Sequence, residues 1–211
     1  MSKQRAEAQP IVQPIVQPII QPIVQATALA IIDMQNDFVL PGAPGCVAGA
    51  LPSVPVIRRL LDQGRGAGWP VFHVYREHRP DGSDAEVFRC GLFDQGRGIC
   101  RSGTPGADIV SELAPLPGEH HIVKRRFSAF LGTQFDLVLR RLGVRTLVLA
   151  GTQYPNCVRA TAVDALSRDY RVIVVTDACS AQTDEVAQAN IFDLSNMGVA
   201  CVPLKELAGA L

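Results

Sequence analysis

Three residues far apart in the chain carry complementary chemistry: Asp33, Lys124 and Cys157. Each follows an apolar run. Ala28-Leu29-Ala30-Ile31-Ile32 precedes Asp33, Ile122-Val123 precedes Lys124, and Leu147-Val148-Leu149-Ala150 lies ahead of the turn that carries Cys157. Short, β-branched runs of this kind read as buried strands. If the strands are parallel, their carboxyl ends share one rim of the sheet, where open α/β sheets bind ligands. A carboxylate, an ammonium and a thiol gathered there suit acyl transfer. The aspartate takes the thiol proton, the lysine's charge favours the thiolate, and the thiolate attacks a carbonyl carbon. Each residue also has a plainer reading. Asp33 could cap a turn, Lys124 opens the basic run Lys124-Arg125-Arg126 that would suit a solvated face, and free cysteines are most often small buried hydrophobes.

The local setting of Cys157 favours the chemical reading. Gly151 breaks the apolar run, Thr152-Gln153-Tyr154-Pro155-Asn156 makes a turn, and the small residues after it have the spacing of a helix packed on a sheet. Asn156 is a suitable N-cap, which puts Cys157 in the first turn. Unpaired backbone N–H groups and the positive end of the helix dipole there favour thiolate. The stretch 76–109 is polar, glycine-rich and irregular, and a loop of that length is usually a wall or lid over a site. Among its arginines, Arg76 and Arg89 are candidates to hold a substrate carboxylate or carbonyl, whereas Arg97 and Arg101 read as surface charges. Phe38, Phe127 and Tyr154 are candidate apolar walls, and each serves equally well as core.

The elements that must position these residues alternate. Helices are expected over 51–67, 130–142 and 184–197, and strands over 70–75, 120–123, 171–177 and 199–202, in addition to the runs ending at Asp33 and Gly151. Strands alternating with helices imply an α/β fold with a parallel sheet covered on both faces. The domain spans 26–211. Ahead of it, 9–25 repeats a QPIV tetrapeptide, whose prolines forbid a helix interior or a central strand. We read 1–25 as a low-complexity extension without fixed structure, the alternative being an arm laid on a neighbouring subunit.

Lys+Arg and Asp+Glu both total 20, so the chain of 211 residues has no net charge and no basic stripe for nucleic acid or an anionic membrane. No apolar run reaches the length of a membrane span. The six cysteines lack C-x-x-C or His/Cys ligand spacing, and no secretory signal is legible, so reduced thiols in a cytoplasmic protein are expected.

Four stretches taken in order resemble the isochorismatase-like cysteine hydrolases, the superfamily of nicotinamidases, N-carbamoylsarcosine amidohydrolase, biuret hydrolase and isochorismatases. They are AIIDMQNDF at 30–38, VKRRFSAF at 123–130, GTQYPNCVRATAVDA at 151–165 and VVTDACSA at 174–181. The resemblance implies a three-layer, doubly wound, six-stranded parallel sheet ordered 3-2-1-4-5-6. It implies an Asp–Lys–Cys triad, with Asp33 as proton acceptor and donor, Lys124 as electrostatic support and Cys157 as nucleophile. It also implies a cis peptide at Thr152–Gln153, with the N–H groups of Gln153 and Cys157 forming an oxyanion hole. Members of the superfamily associate, so a homo-oligomer, a dimer or tetramer, is expected.

Two departures narrow the activity. Nicotinamidases carry an Asp-x-His pair after the second strand to bind a metal; this chain has Tyr75-Arg76-Glu77-His78 there, so neither a metal nor any other cofactor is expected, nor is nicotinamide specificity. Isochorismatases that cleave a vinyl ether lack a cysteine at the position of Cys157. Its presence points to hydrolysis of a carbon–nitrogen bond in a small amide, carbamoyl or ureido substrate through a thioester. The alternative is a catalytically idle domain of the same fold that serves as a binding or assembly module. A redox role for Cys157 lacks a resolving cysteine nearby in the sequence.

Overall fold

A computed structural model describes residues 26–211; the low-complexity extension expected at 1–25 lies outside them. The chain begins with β1 (Ala26–Ile32), a short helical turn α1 (Asn36–Val39), α2 (Ala50–Gly66) and β2 (Val71–Arg76). There follow α3 (Val87–Asp94), β3 (His120–Lys124), α4 (Phe135–Arg141) and β4 (Val144–Thr152). After a π-helical turn at Tyr154–Val158 come α5 (Arg159–Leu166), β5 (Arg171–Ser180), α6 (Asp184–Asn196), β6 (Ala200–Val202) and α7 (Leu207–Ala210).

All strand pairs are parallel, in the order β3-β2-β1-β4-β5-β6. β1 and β4 hold the centre and are apolar on both faces, as strands between two helical layers must be. Along β1, Ala28, Ala30 and Ile32 join a cluster with Phe135, Val158 and Ala162 on the side of α4 and α5. Leu29 and Ile31 point the other way, into a cluster with Ile57, Leu60 and Leu61 of α2. This alternation follows from the two-residue period of a strand. It gives the expected three layers and the expected strand order.

Three local expectations differ from the structure. The stretch 76–109 is not wholly irregular, since α3 forms within it. The helix expected over 130–142 starts only at Phe135, because Ser128 Oγ accepts from the Phe130 N–H and Thr133 Oγ1 donates to the Ala129 carbonyl at 2.5 Å, tying 128–133 into turns. Asn156 does not cap the helix after β4. The helical turn begins at Tyr154, and Asn156 lies inside it with its own N–H donated to the Gln153 carbonyl at 3.2 Å.

Candidate active site

The carboxyl ends of β1, β3 and β4 meet as their parallel registers require. Arg76 at the end of β2 lies opposite Lys124 at the end of β3, and Ile32 at the end of β1 lies opposite Gly151 in β4. Asp33, one residue past β1, adopts a left-handed backbone with φ 53°, and its N–H is donated to the Val74 carbonyl at 2.8 Å. Gly151 makes this approach sterically feasible. It has φ 118°, and a Cβ there would sit 2.1 Å from the Ile32 carbonyl oxygen. The peptide bond between Thr152 and Gln153 is cis.

Lys124 is the link between the other two residues. Its Nζ donates to Asp33 Oδ2 at 2.7 Å and to Cys157 Sγ at 3.3 Å, with a third bond to the Arg126 carbonyl at 3.2 Å. All three ammonium donors are thereby occupied. Lys124 is fully buried and Asp33 nearly so, so Lys124 is no member of a solvated basic face. Asp33 Oδ1 has no hydrogen-bond partner among the described residues. That oxygen is an acceptor held without a proton donor beside a thiol, an arrangement suited to accepting that thiol's proton.

The start of a helix favours thiolate, but burial of the Cys157 sulfur works against it. Burial pushes Cys157 above the ordinary thiol range and Asp33 adds to this, while Lys124 and Arg76 pull the other way. Desolvation outweighs the two cations, which favours the S–H form.

A narrow cleft opens beside the thiol, lined by Phe38, Arg76, Arg89, Gln153, Asn156 and Cys157 among others. The roles expected of the wall residues divide. Phe38 lines the cleft, and so does Gln153, whose expected part was the oxyanion hole. Tyr154 does not: its ring is buried in the core and its hydroxyl donates to the Thr176 carbonyl at 3.0 Å. Phe127 lines a separate shallow hollow with Pro155 and Arg159, its ring facing the guanidinium groups of Arg76 and Arg89 at 5.7 and 5.5 Å. Arg97 and Arg101 have no place in the lining.

Arg76 is more deeply committed than a substrate contact would be. It is fully buried, Nη1 donates to Glu86 Oε1 at 2.5 Å, and Nη2 donates to the Arg126 carbonyl at 3.1 Å and lies 3.7 Å from Cys157 Sγ. Burial opposes its charge, but Asp33, Cys157 and Glu86 more than offset this and hold the guanidinium charged. Burial likewise raises Glu86, and Arg76 and Arg89 overcome this to bring it down to about 2. Glu86 had no motif to announce it; the only signal was that a buried arginine needs a carboxylate.

The position after β2 does not fit a metal. Its one imidazole, His78, has Nε2 3.5 Å from Arg76 Nη1, and the positive guanidinium occupies the place where a cation would need donors. No group of three His, Cys, Asp or Glu side chains among the described residues converges as a metal site would require.

Comparison with known proteins identifies the family. The model of the isochorismatase domain matches residues 27–206. A protein of Arabidopsis thaliana named "probable inactive nicotinamidase" is 43% identical over 183 residues, 85% of this chain and 93% of that one. Maleamate amidohydrolase of Pseudomonas putida is 31% identical over 176 residues, covering 80% of this chain and 79% of its own. Among solved structures, an isochorismatase family protein from Desulfovibrio vulgaris matches with a TM-score of 0.87 at 61% identity, covering 88% of this chain and 98% of that one. With residues 27–206 matched by the family model and a solved family member matched at a TM-score of 0.87, the chain belongs to the isochorismatase domain family.

Proposed function

We propose that the protein is a cysteine-dependent amidohydrolase that cleaves a carbon–nitrogen bond in a small amide, carbamoyl or ureido compound. The observation that carries this reading is one ammonium, Lys124 Nζ, in contact with both a buried carboxylate and a buried thiol at the mouth of a cleft. The amide carbonyl sits beside Cys157. Asp33 takes the S–H proton as sulfur attacks the carbonyl carbon, and the N–H groups of Gln153 and Cys157 receive the oxyanion. Lys124 and Arg76 offset the charge on sulfur as the proton leaves. The tetrahedral intermediate collapses when Asp33 gives its proton to the departing nitrogen, leaving a thioester. Water then attacks the thioester carbonyl, its proton passes to Asp33, and that proton returns to sulfur as the acid departs. The name of the Pseudomonas relative, an amidohydrolase, supports this class of reaction. In this reading the working unit is a homo-oligomer, and the substrate is a small molecule.

The test is mass spectrometry of the intact protein mixed with a panel of small amides, ureido acids and carbamoyl compounds, together with measurement of released ammonia. An acyl adduct on Cys157 that turns over is expected, and Cys157→Ala should show neither adduct nor ammonia. A second reading has one observation in its favour, the word "inactive" in the name of the Arabidopsis relative. An idle domain would form no adduct with any member of the panel while its thiol still reacted with a general alkylating agent.

A further inference from the structure

Asp33 Oδ1, Thr152 Oγ1 and Ser180 Oγ are buried polar atoms that make no hydrogen bond among the described residues. The three residues belong to neighbouring strands. Ile32 at the end of β1 lies opposite Gly151, so the next residues of the two strands, Asp33 and Thr152, leave the sheet as neighbours. Thr152 in turn lies opposite Ser180 at the end of β5. Paired residues on adjacent strands put their side chains on the same face. Asp33 and Thr152 are each 1% exposed and Ser180 is 3% exposed, so bulk water does not complete any of them. Asp33 and Thr152 line the cleft of Cys157, whereas Ser180 lines a separate hollow with Gly49, Ser53 and Asp177.

A buried oxygen without a partner is costly, and such atoms are normally completed by an ordered water. The other site residues say what that water does. Lys124 Nζ holds Asp33 Oδ2 at 2.7 Å, so proton transfer falls to Oδ1. Attack by the thiol already has its proton acceptor in Asp33 and its cation in Lys124, and it leaves Thr152 without a task. Hydrolysis of the thioester differs, because a water must be aimed as well as deprotonated. A water that donates one hydrogen to Asp33 Oδ1 and the other to Thr152 Oγ1 has both hydrogens occupied and turns its lone pairs to the thioester carbonyl.

We propose that Thr152 is the positioning residue for the water that hydrolyses the thioester, and that Ser180 marks the route by which this water is supplied from the hollow behind it. The inference rests on the amidohydrolase reading above and deepens its second step. The bond from the water oxygen to the carbonyl carbon forms as the water's proton passes to Asp33 Oδ1. The carbon–sulfur bond then breaks, and Asp33 returns the proton to sulfur as the acid leaves. Thr152 keeps its own proton throughout and accepts only a hydrogen bond. At that stage the acyl group occupies the cleft beside Cys157, so a path past Ser180 refills the site without crossing the mouth.

Acylation and hydrolysis are separated with p-nitrophenyl acetate. Release of the first equivalent of p-nitrophenol reads acylation. Decay of acetyl-Cys157, followed by peptide mass mapping once excess ester is removed, reads hydrolysis, and the mapping sets aside label on the exposed Cys90. Thr152→Val keeps the shape of threonine without the hydroxyl; it should slow the decay about tenfold or more while acylation stays within about twofold of wild type. Thr152→Ser should recover most of the decay rate, and Ser180→Ala should slow it about threefold or more. Thermal melting checks that the variants are folded, and Thr152→Ala gives the same comparison if the valine variant is not. Wild-type decay in the variants that lack the Thr152 hydroxyl, or decay in Thr152→Ser as slow as theirs, overturns the proposal and leaves the amidohydrolase reading standing. Wild-type decay in Ser180→Ala overturns the supply route. A wild-type protein on which the ester leaves no acetyl group at Cys157 overturns the amidohydrolase reading and the proposal with it.

Discussion

Replacing Lys124 with methionine removes one positive charge and little volume, and the structure sets the size of the effect. The ammonium is 3.3 Å from Cys157 Sγ in a fully buried site. At an effective dielectric of about 20, a unit charge at that distance stabilises the thiolate by roughly 5 kcal/mol. Arg76 remains 3.7 Å from the same sulfur and moderates the loss. We therefore expect a loss of about 3–5 kcal/mol in thiolate stability, a fall of roughly a hundred- to several-thousandfold in thiolate population at a given pH. The rate of iodoacetamide alkylation measured across pH reads this directly, and turnover should fall with it. The same substitution strands the Asp33 carboxylate, at a cost of about 3–5 kcal/mol in stability, so melting must be recorded at the assay temperature. Arg125→Ala is the control, since that side chain is half exposed and pairs only with Asp84; both readouts should stay within about twofold. An alkylation profile in Lys124→Met that overlays the wild type, with near-normal turnover, would refute the assignment of Lys124 to the thiol.

Three further outcomes are expected. Cys157→Ala should retain the fold and lose all turnover, and Cys157→Ser should be nearly as inactive because a hydroxyl is far harder to ionise; residual activity within about tenfold of wild type in either would remove the thiol from the mechanism. Gly151→Ala drives a methyl group into the Ile32 carbonyl from a backbone with φ 118°, and should cost about 4 kcal/mol or more; a denaturant midpoint equal to wild type would show that β1 and β4 need not approach so closely there. Acid sensitivity should come in part from Glu86. Its folded value near 2 lies below its ordinary 4.5, so its contribution to stability is complete above about pH 4.5 and is lost as pH falls towards 2. Glu86→Gln should lower the melting temperature at pH 7 and flatten its fall across that window, and an unaltered slope would assign the acid sensitivity to other carboxylates.

The central sheet was legible because β1, β4 and β5 are apolar on both faces, a pattern that surface elements rarely share. Asp33, Lys124 and Cys157 could be placed on one rim because parallel strands put their carboxyl ends together whatever the loops do. α3 was not legible: it has eight residues, holds Gly91, and leaves Val87 and Phe88 exposed, so no apolar period marks it. The inward turn of Tyr154 was hidden for another reason. A tyrosine in a polar turn reads as a wall, and only the Thr176 carbonyl, which satisfies its hydroxyl from another strand, makes burial affordable. Nor could the resting state of the thiol be read from its position, because desolvation depends on what packs over it and not on where the helix begins.

That protonated, covered thiol bears on how the protein meets oxidants. Peroxide reacts with thiolates, and the sulfenic acid it forms can proceed to states that no thiol reductant reverses. Cys90 on α3 is exposed, whereas Cys157 is held as S–H at 6% exposure. Oxidant in bulk water therefore meets the exposed sulfur of Cys90 first. In the proposed reaction Asp33 removes the proton of the sulfur at the base of the cleft as a carbonyl compound enters, so the molecule that activates it is also the one that consumes it.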